Sequence, residues 1–237
     1  MKSGVLLLSL GLVFAAAGAA HASLLLNGNL DETYQQEIVP GFFLPKPASW
    51  MNVGTRANTG PYEDEMSSES WAGPAPTPAT ANDMGVFFKP FSGNANDGAA
   101  TGHLFQDVAG NAGWRYTLTG WAGAEPNFLA TDAVIALEFL DGSGAVIGGV
   151  VQSLMGQLFV DNGQPFDYKQ YTVAGVAPVG TATVRSRVSM IGGLGNPAGG
   201  GQAFVVDDFE LNGVVPEPAT MTALALGAAA MLRRRRK

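Results

Sequence analysis

Alternation of apolar and polar residues limits the fold of this chain more than any other feature. Trp114, Tyr116 and Leu118 alternate with Arg115, Thr117, Thr119 and Trp121. A period of two built from aromatic and β-branched residues predicts a strand with one face buried. The pattern recurs at 133–140, where Ile135, Leu137 and Phe139 share one face and Glu138 takes the other. Asp141-Gly142-Ser143-Gly144 then predicts a hairpin turn, with 145–151 as the return strand. In 181–190, Ala182, Val184, Val188 and Met190 face one way and Thr183, Arg185, Arg187 and Ser189 the other. Residues 84–91, 104–108, 168–176 and 204–211 predict further strands, and 24–32 a short strand running into an Asn-Gly turn. About eight to ten strands without an internal helix predict an all-β fold, a two-sheet antiparallel sandwich. Residues 54–82 are poor in apolar side chains, rich in Gly, Pro, Ser and Ala, and carry Glu63-Asp64-Glu65; they predict a long exposed loop. The chain has no Cys, so its core must hold without disulfides, and no thiol nucleophile exists.

The two ends obey different rules from the body. Lys2 precedes a nearly continuous apolar run, Val5 to Ala20, and Ala20-His21-Ala22 has the small-x-small pattern of a signal-peptide cleavage site. Residues 1–22 are therefore expected to leave, with the mature chain starting at Ser23. At the other end Pro216-Glu217-Pro218 stops any preceding structure. An apolar stretch at 221–232 follows, then the basic cluster 233–237. The apolar stretch would enter the inner membrane as a single short transmembrane helix, with the basic cluster on the cytoplasmic side. At 12 residues it falls short of the about 20 that span a bilayer comfortably, so it suits a temporary anchor.

Pro-Glu-Pro, a short apolar helix and an arginine cluster, in that order at the chain's end, resemble the PEP-CTERM sorting tail. The resemblance implies a domain order of signal peptide (1–22), body (23–213) and sorting tail (214–237). It also implies recognition near Pro216-Glu217-Pro218 by an exosortase, a membrane-embedded cysteine transpeptidase of which this chain would be the substrate. The expected destination is the cell envelope, the outer surface or the extracellular matrix, often in a species that makes exopolysaccharide.

Six of the 13 basic residues are Lys2 and the five cations of the tail, while all 20 acids lie between them, so the intervening chain has a net charge of −13. Such a body repels nucleic acid and anionic membrane surfaces, and it attracts divalent cations.

A second resemblance covers most of 24–212. Leu26-Asn27-Gly28-Asn29-Leu30-Asp31, the run Trp114 to Trp121, the hairpin Glu138 to Gly148, Tyr171-Thr172-Val173 with Thr181 to Val184, and Val206 to Leu211 are similar, in that order, to the jelly-roll, galactose-binding-like carbohydrate-binding modules. Leu30 and Asp31 stand where that family usually has Phe and Glu. The resemblance implies a non-catalytic jelly roll with possible polysaccharide binding. It also implies a structural Ca²⁺ where the first turn meets the last strand, held through Asn29, Asp31 and Asp207. A sugar needs a flat aromatic against the apolar face of its ring and planar polar groups at its hydroxyls. Trp121, Glu138, Arg185 and Arg187 all lie on the non-core parity of their strands and are expected to share one sheet face.

Catalysis finds little support. His103 is the one histidine left after signal removal and has the setting of a surface or satisfied residue. No G-x-S-x-G elbow occurs. Gly193 to Ala198 mimics a dinucleotide fingerprint but opens no βαβ unit. The acids nominate no particular pair for glycosidic cleavage. Gly93 to Gly98 lacks EF-hand spacing. Three readings stay open: a polysaccharide-binding envelope protein, a structural surface or matrix protein with no small ligand, and a glycan-active enzyme.

Overall fold

The computed structural model describes residues 22–56, 65–73, 83–90 and 98–215. The sorting tail from Pro216 onward, including its apolar segment, and the signal segment 1–21 lie outside the described residues. Among the described residues no helix is long and apolar enough to cross a membrane.

The described residues form twelve strands: β1 (Thr33–Val39), β2 (Phe42–Pro47), β3 (Met51–Arg56), β4 (Met66–Glu69), β5 (Gly85–Phe88), β6 (Ala100–Ala109), β7 (Arg115–Ala124), β8 (Asp132–Leu140), β9 (Val146–Ser153), β10 (Lys169–Val176), β11 (Thr183–Gly193) and β12 (Phe204–Val214). Sheet I has the order β10-β7-β12-β5-β4 and sheet II the order β3-β6-β11-β8-β9, with β1 and β2 as a separate ribbon. All pairings are antiparallel. From β5 to β8 and from β9 to β12 each successive strand switches sheet, which is the jelly-roll path.

Period two produces the core directly. Tyr116 and Leu118 of β7, and Phe204, Val206 and Leu211 of β12, meet Leu104 of β6, Ile135, Leu137 and Phe139 of β8, and Val184, Val188 and Met190 of β11. Each buried side chain of this size contributes about 1.5–3 kcal/mol. Among the described residues, the buried members of this cluster run from Leu25 to Leu211.

The structure departs from expectation mainly before residue 90. Residues 24–32 form turns rather than a strand, because Asn27 and Leu30 take positive φ (47° and 59°). The segment is still fixed: Leu24 N donates to Leu211 O (2.8 Å), and the Gln106 amide accepts from Leu26 N and donates to Leu26 O (2.8 Å each). The ribbon of β1 and β2 was not anticipated, since Phe42 to Pro47 contains two prolines that a central strand would exclude. The expected loop 54–82 is interrupted. β3 runs to Arg56, and β4 carries buried Met66, Ser67 and Ser68. Glu65 is buried rather than part of an exposed acidic patch; residues 57–64 and 74–82 lie outside the described residues. Polar groups place β4 where an apolar pattern is missing. Lys46, fully buried, donates to Met66 O (2.5 Å), and Ser67 Oγ donates to Pro45 O (3.0 Å). A helical turn at Met155–Leu158 and a 3-10 turn at Pro165–Asp167 complete the elements.

Candidate functional site

The outer face of sheet II is built by register. Arg187 of β11 lies between Phe105 of β6 and Ala136 of β8, Arg185 between Asp107 and Glu138, and Ser189 between His103 and Val134. Because Val184, Val188 and Met190 point into the core, Arg185, Arg187 and Ser189 must point out. The side chains then interlock. Arg185 Nε and Nη2 donate to the two oxygens of Asp107 (2.7 and 2.8 Å), and its guanidinium sits 4.1 Å from the centre of the Phe105 ring. Arg187 Nε and Nη2 donate to Glu138 (3.1 and 2.5 Å), and Nη1 donates to Ser189 Oγ (2.8 Å). Ser189 Oγ also meets His103 Nδ1 at 2.7 Å.

Val53 of β3, His103, Phe105, Glu138, Arg185 and Arg187 border an open groove of about 450 Å³, with Asp107 and Ser189 reaching it through their bonds to the two arginines. Its charge is balanced, two guanidiniums against two carboxylates. The Asp107 hydrogen bonds hold the Arg185 guanidinium above its ordinary range. Burial, and then the neighbouring Arg187 charge, push the His103 imidazole down from 6.5, with Glu138 opposing. A neutral imidazole beside paired guanidiniums offers directional donors and acceptors. Each carboxylate of the groove has a guanidinium across both oxygens, which occupies the lone pairs a general base would use.

Trp121 is elsewhere. Strand parity places it correctly on an outer face, but β7 belongs to sheet I, so it lies across the core from Glu138, Arg185 and Arg187. Parity tells which side of its own sheet a residue occupies and is silent about which sheet that is. Trp121 borders a separate cavity of about 370 Å³, together with Asn29, Thr119, Gln170, Asp208 and Glu210. His103, Phe105 and Asp107 were missed as groove residues. Their i, i+2 spacing would have exposed them had the strand been drawn over 100–109 rather than 104–108.

The first turn does meet the last strand, as Phe209 N donates to Gly28 O (2.7 Å). Asn29 Nδ2 donates to Asp31 Oδ2 (2.5 Å), and Met84 N donates to Asp31 Oδ1 (2.8 Å). Asp207 is buried, and its Oδ1 accepts from Asp208 N (2.8 Å). Burial, and then repulsion by Asp31, raise the Asp83 carboxyl; burial, and then Asp83 and Asp31, raise that of Asp208. Negative charge therefore collects here, although among the described residues no three carboxylate or imidazole groups converge to hold a metal. The donor set suits Ca²⁺ only with backbone carbonyls making up most of its oxygens.

Comparison with known proteins settles the tail. Residues 214–237 match the PEP-CTERM protein-sorting motif. That motif marks an exported protein handled by an exosortase at the cell envelope. No curated protein matches the sequence. Among solved structures, the chain is similar to the enzymatically active domain of tailspike protein 4 from bacteriophage CBA120 (11% identity, TM-score 0.47, 70% of this chain) and spans 20% of that chain. It is similar to the carbohydrate-binding module TmCBM61, solved with β-1,4-galactotriose (20% identity, TM-score 0.40, 70% of this chain and 88% of that one). It is also similar to the xylan-binding CBM22-1 domain of Xyn10C from Paenibacillus barcinonensis (11% identity, TM-score 0.40, 71% and 87%). Most of these neighbours are carbohydrate-binding modules with β-sandwich folds.

Proposed function

We propose that the protein is a non-catalytic polysaccharide-binding protein of the cell envelope or extracellular matrix, which holds its glycan along the groove of sheet II. The observation that carries this is the pair of guanidinium forks, Arg185 on Asp107 and Arg187 on Glu138, set beneath an open groove. Planar donors already fixed by carboxylates lose little entropy when a sugar hydroxyl arrives, and His103 and Phe105 add an acceptor and an apolar surface. A glycan array with residues 23–215 tests it. An array hit that moves the His103 and Ser189 resonances, with that response weakened at least tenfold in Arg187→Ala, supports the groove; no glycan bound, or an unchanged response in that variant, refutes it.

Exosortase removes the tail near Pro216-Glu217-Pro218, so replacing those three residues with alanines leaves the chain exported, unprocessed and membrane-retained. An unchanged mature C-terminus by mass spectrometry would count against that site.

A structural Ca²⁺ beside Asn29, Asp31 and Asp207 would neutralise the charge that raises Asp83 and Asp208, and would tie the first turn to β12. Calcium then raises the thermal midpoint and a chelator lowers it, because only the folded state binds. A midpoint indifferent to both removes the ion.

A further inference from the structure

The Trp121 cavity opens on the opposite side of the molecule from the groove, with the core between them. Its walls come from four elements. Trp121 and Thr119 share the outer parity of β7, and Gln170 stands directly across from Trp121 on β10. β12 supplies the third wall through a bulge. The register shifts between Asp207 and Glu210, and Asp208 takes a positive φ of 49°. The extra residue turns Asp208 outward beside Glu210 while Phe209 returns to the core. Asn29 enters from the first turn.

Trp121 is half-buried and packs against a small apolar cluster that includes Phe87, Tyr168 and Val205, so its ring is fixed from behind. Among the described residues its indole N–H has no hydrogen-bond acceptor. Around it stand two amides, two hydroxyls and two carboxylates, all on side chains that are exposed or half-buried. A fixed aromatic surface ringed by planar polar groups matches a pyranose, whose C–H face stacks on a ring while its hydroxyls seek paired acceptors and donors.

Charge narrows the class of sugar. Asp208 and Glu210 both line the cavity, so an anionic group brought to it meets two carboxylates. The nearby cation on β10, Lys169, donates to Gln157 O (2.9 Å) and does not line the cavity. Uronic acids and sulfated sugars meet repulsion; neutral and amino sugars do not.

We propose that the Trp121 cavity is a second saccharide site, selective for neutral or amino sugars, which together with the groove makes the protein a two-faced bridge between polysaccharide chains. The site stands on its own geometry; only the bridging rests on the groove being a glycan site.

The test is an NMR titration of residues 23–215, following the Trp121 indole resonance assigned through Trp121→Phe. The probes are trisaccharides of glucose, galactose, mannose, xylose and glucosamine, with trigalacturonate as the anionic control. At least one neutral or amino probe shifts the Trp121 resonance, trigalacturonate does not, and the shift survives Arg187→Ala. Gln170→Ala, an exposed change that leaves the packing intact, weakens that probe at least tenfold. No shift with any neutral or amino probe, or an equal shift with trigalacturonate, overturns the site. A Trp121 shift without movement of the His103 and Ser189 resonances under any probe keeps the site and removes the groove. Bridging is read as turbidity with the polymer of the responding sugar. Turbidity in wild type that is lost in Gln170→Ala and in Arg187→Ala separately supports the bridge. Turbidity absent in wild type, or surviving in either variant, refutes it.

Discussion

The Arg187–Glu138 pair allows structure and ligand binding to be separated by mutation. The two side chains are 16% and 12% exposed, so the pair is mostly desolvated, and Arg187 also donates to Ser189. Removing one partner of a fully buried pair costs about 3–5 kcal/mol because the other charge is left uncompensated. With solvent still reaching this pair, and with Ser189 keeping His103 as a partner, the expected cost of Arg187→Ala is about 2–3 kcal/mol. Replacing both partners by apolar groups of similar size removes the stranded charge. Arg187→Met with Glu138→Leu is therefore expected within about 1 kcal/mol of wild type, far from the sum of the single changes. Urea unfolding of residues 23–215 gives each value through the midpoint at constant slope. The double variant is then the clean reagent for the groove: it is folded and stable, yet has lost two planar polar groups, so glycan binding through the groove is abolished. Arg187→Ala costing less than about 0.5 kcal/mol, or a double variant destabilised by the full sum, would refute this account of the pair. A double variant in which glycan still moves the His103 and Ser189 resonances would refute the groove.

The remaining predictions concern other elements. His103 has its folded pKa pushed below 6.5, so below that value the unfolded chain takes up the proton more readily and stability falls as pH drops toward the folded pKa; His103→Gln removes that contribution, which a matching pH dependence in both proteins would disprove. Asp208 has its folded pKa raised above 3.8 by burial and by Asp83 and Asp31, so it opposes folding once ionised. Asp208→Asn keeps the shape and suits the positive φ, and it raises the metal-free thermal midpoint at neutral pH; an unchanged or lower midpoint counts against the carboxylate cluster. A Cβ at Gly120 would strike the Phe209 ring, so Gly120→Ala costs about 1–3 kcal/mol by urea unfolding, and a neutral change would mean the two strands are less tightly apposed.

How much was legible follows from how each element is specified. β7, β8, β11 and β12 are written in the order of their apolar residues, because one face of each meets the core, and all four were drawn within a few residues. β4 could not be read that way. Met66-Ser67-Ser68-Glu69 has no alternation, and it is placed by hydrogen bonds from Lys46 and Ser67, whose partners are distant in sequence. β1 and β2 were hidden by Pro45 and Pro47, which a ribbon tolerates at positions where a central strand would need the N–H. At the site, parity correctly sent Arg185, Arg187, Glu138 and Trp121 outward. It could not bring Trp121 to the others, since sheet membership is decided by pairing partners such as Gln170 and Asp207 rather than by any local pattern.

That division of polar and aromatic groups between two faces bears on what the body is for. The groove holds its arginines in pairs with carboxylates, so it presents shaped hydrogen-bonding groups without net charge. The opposite cavity presents a tryptophan among acids. Among the described residues lining the two sites, the arginines are paired with carboxylates and no other cation is present, and the chain between Lys2 and the basic tail is strongly acidic. On the proposed reading, then, recognition comes from stacking and hydroxyl contacts rather than from net attraction to an acidic polymer. Contacts of that kind are largely indifferent to salt. Binding measured in 50 mM and 500 mM sodium chloride should differ by less than about twofold, whereas an ion-driven association would weaken by orders of magnitude over the same range. A steep salt dependence would show that some cation outside the groove carries the binding, and would reassign the ligand to acidic polymers.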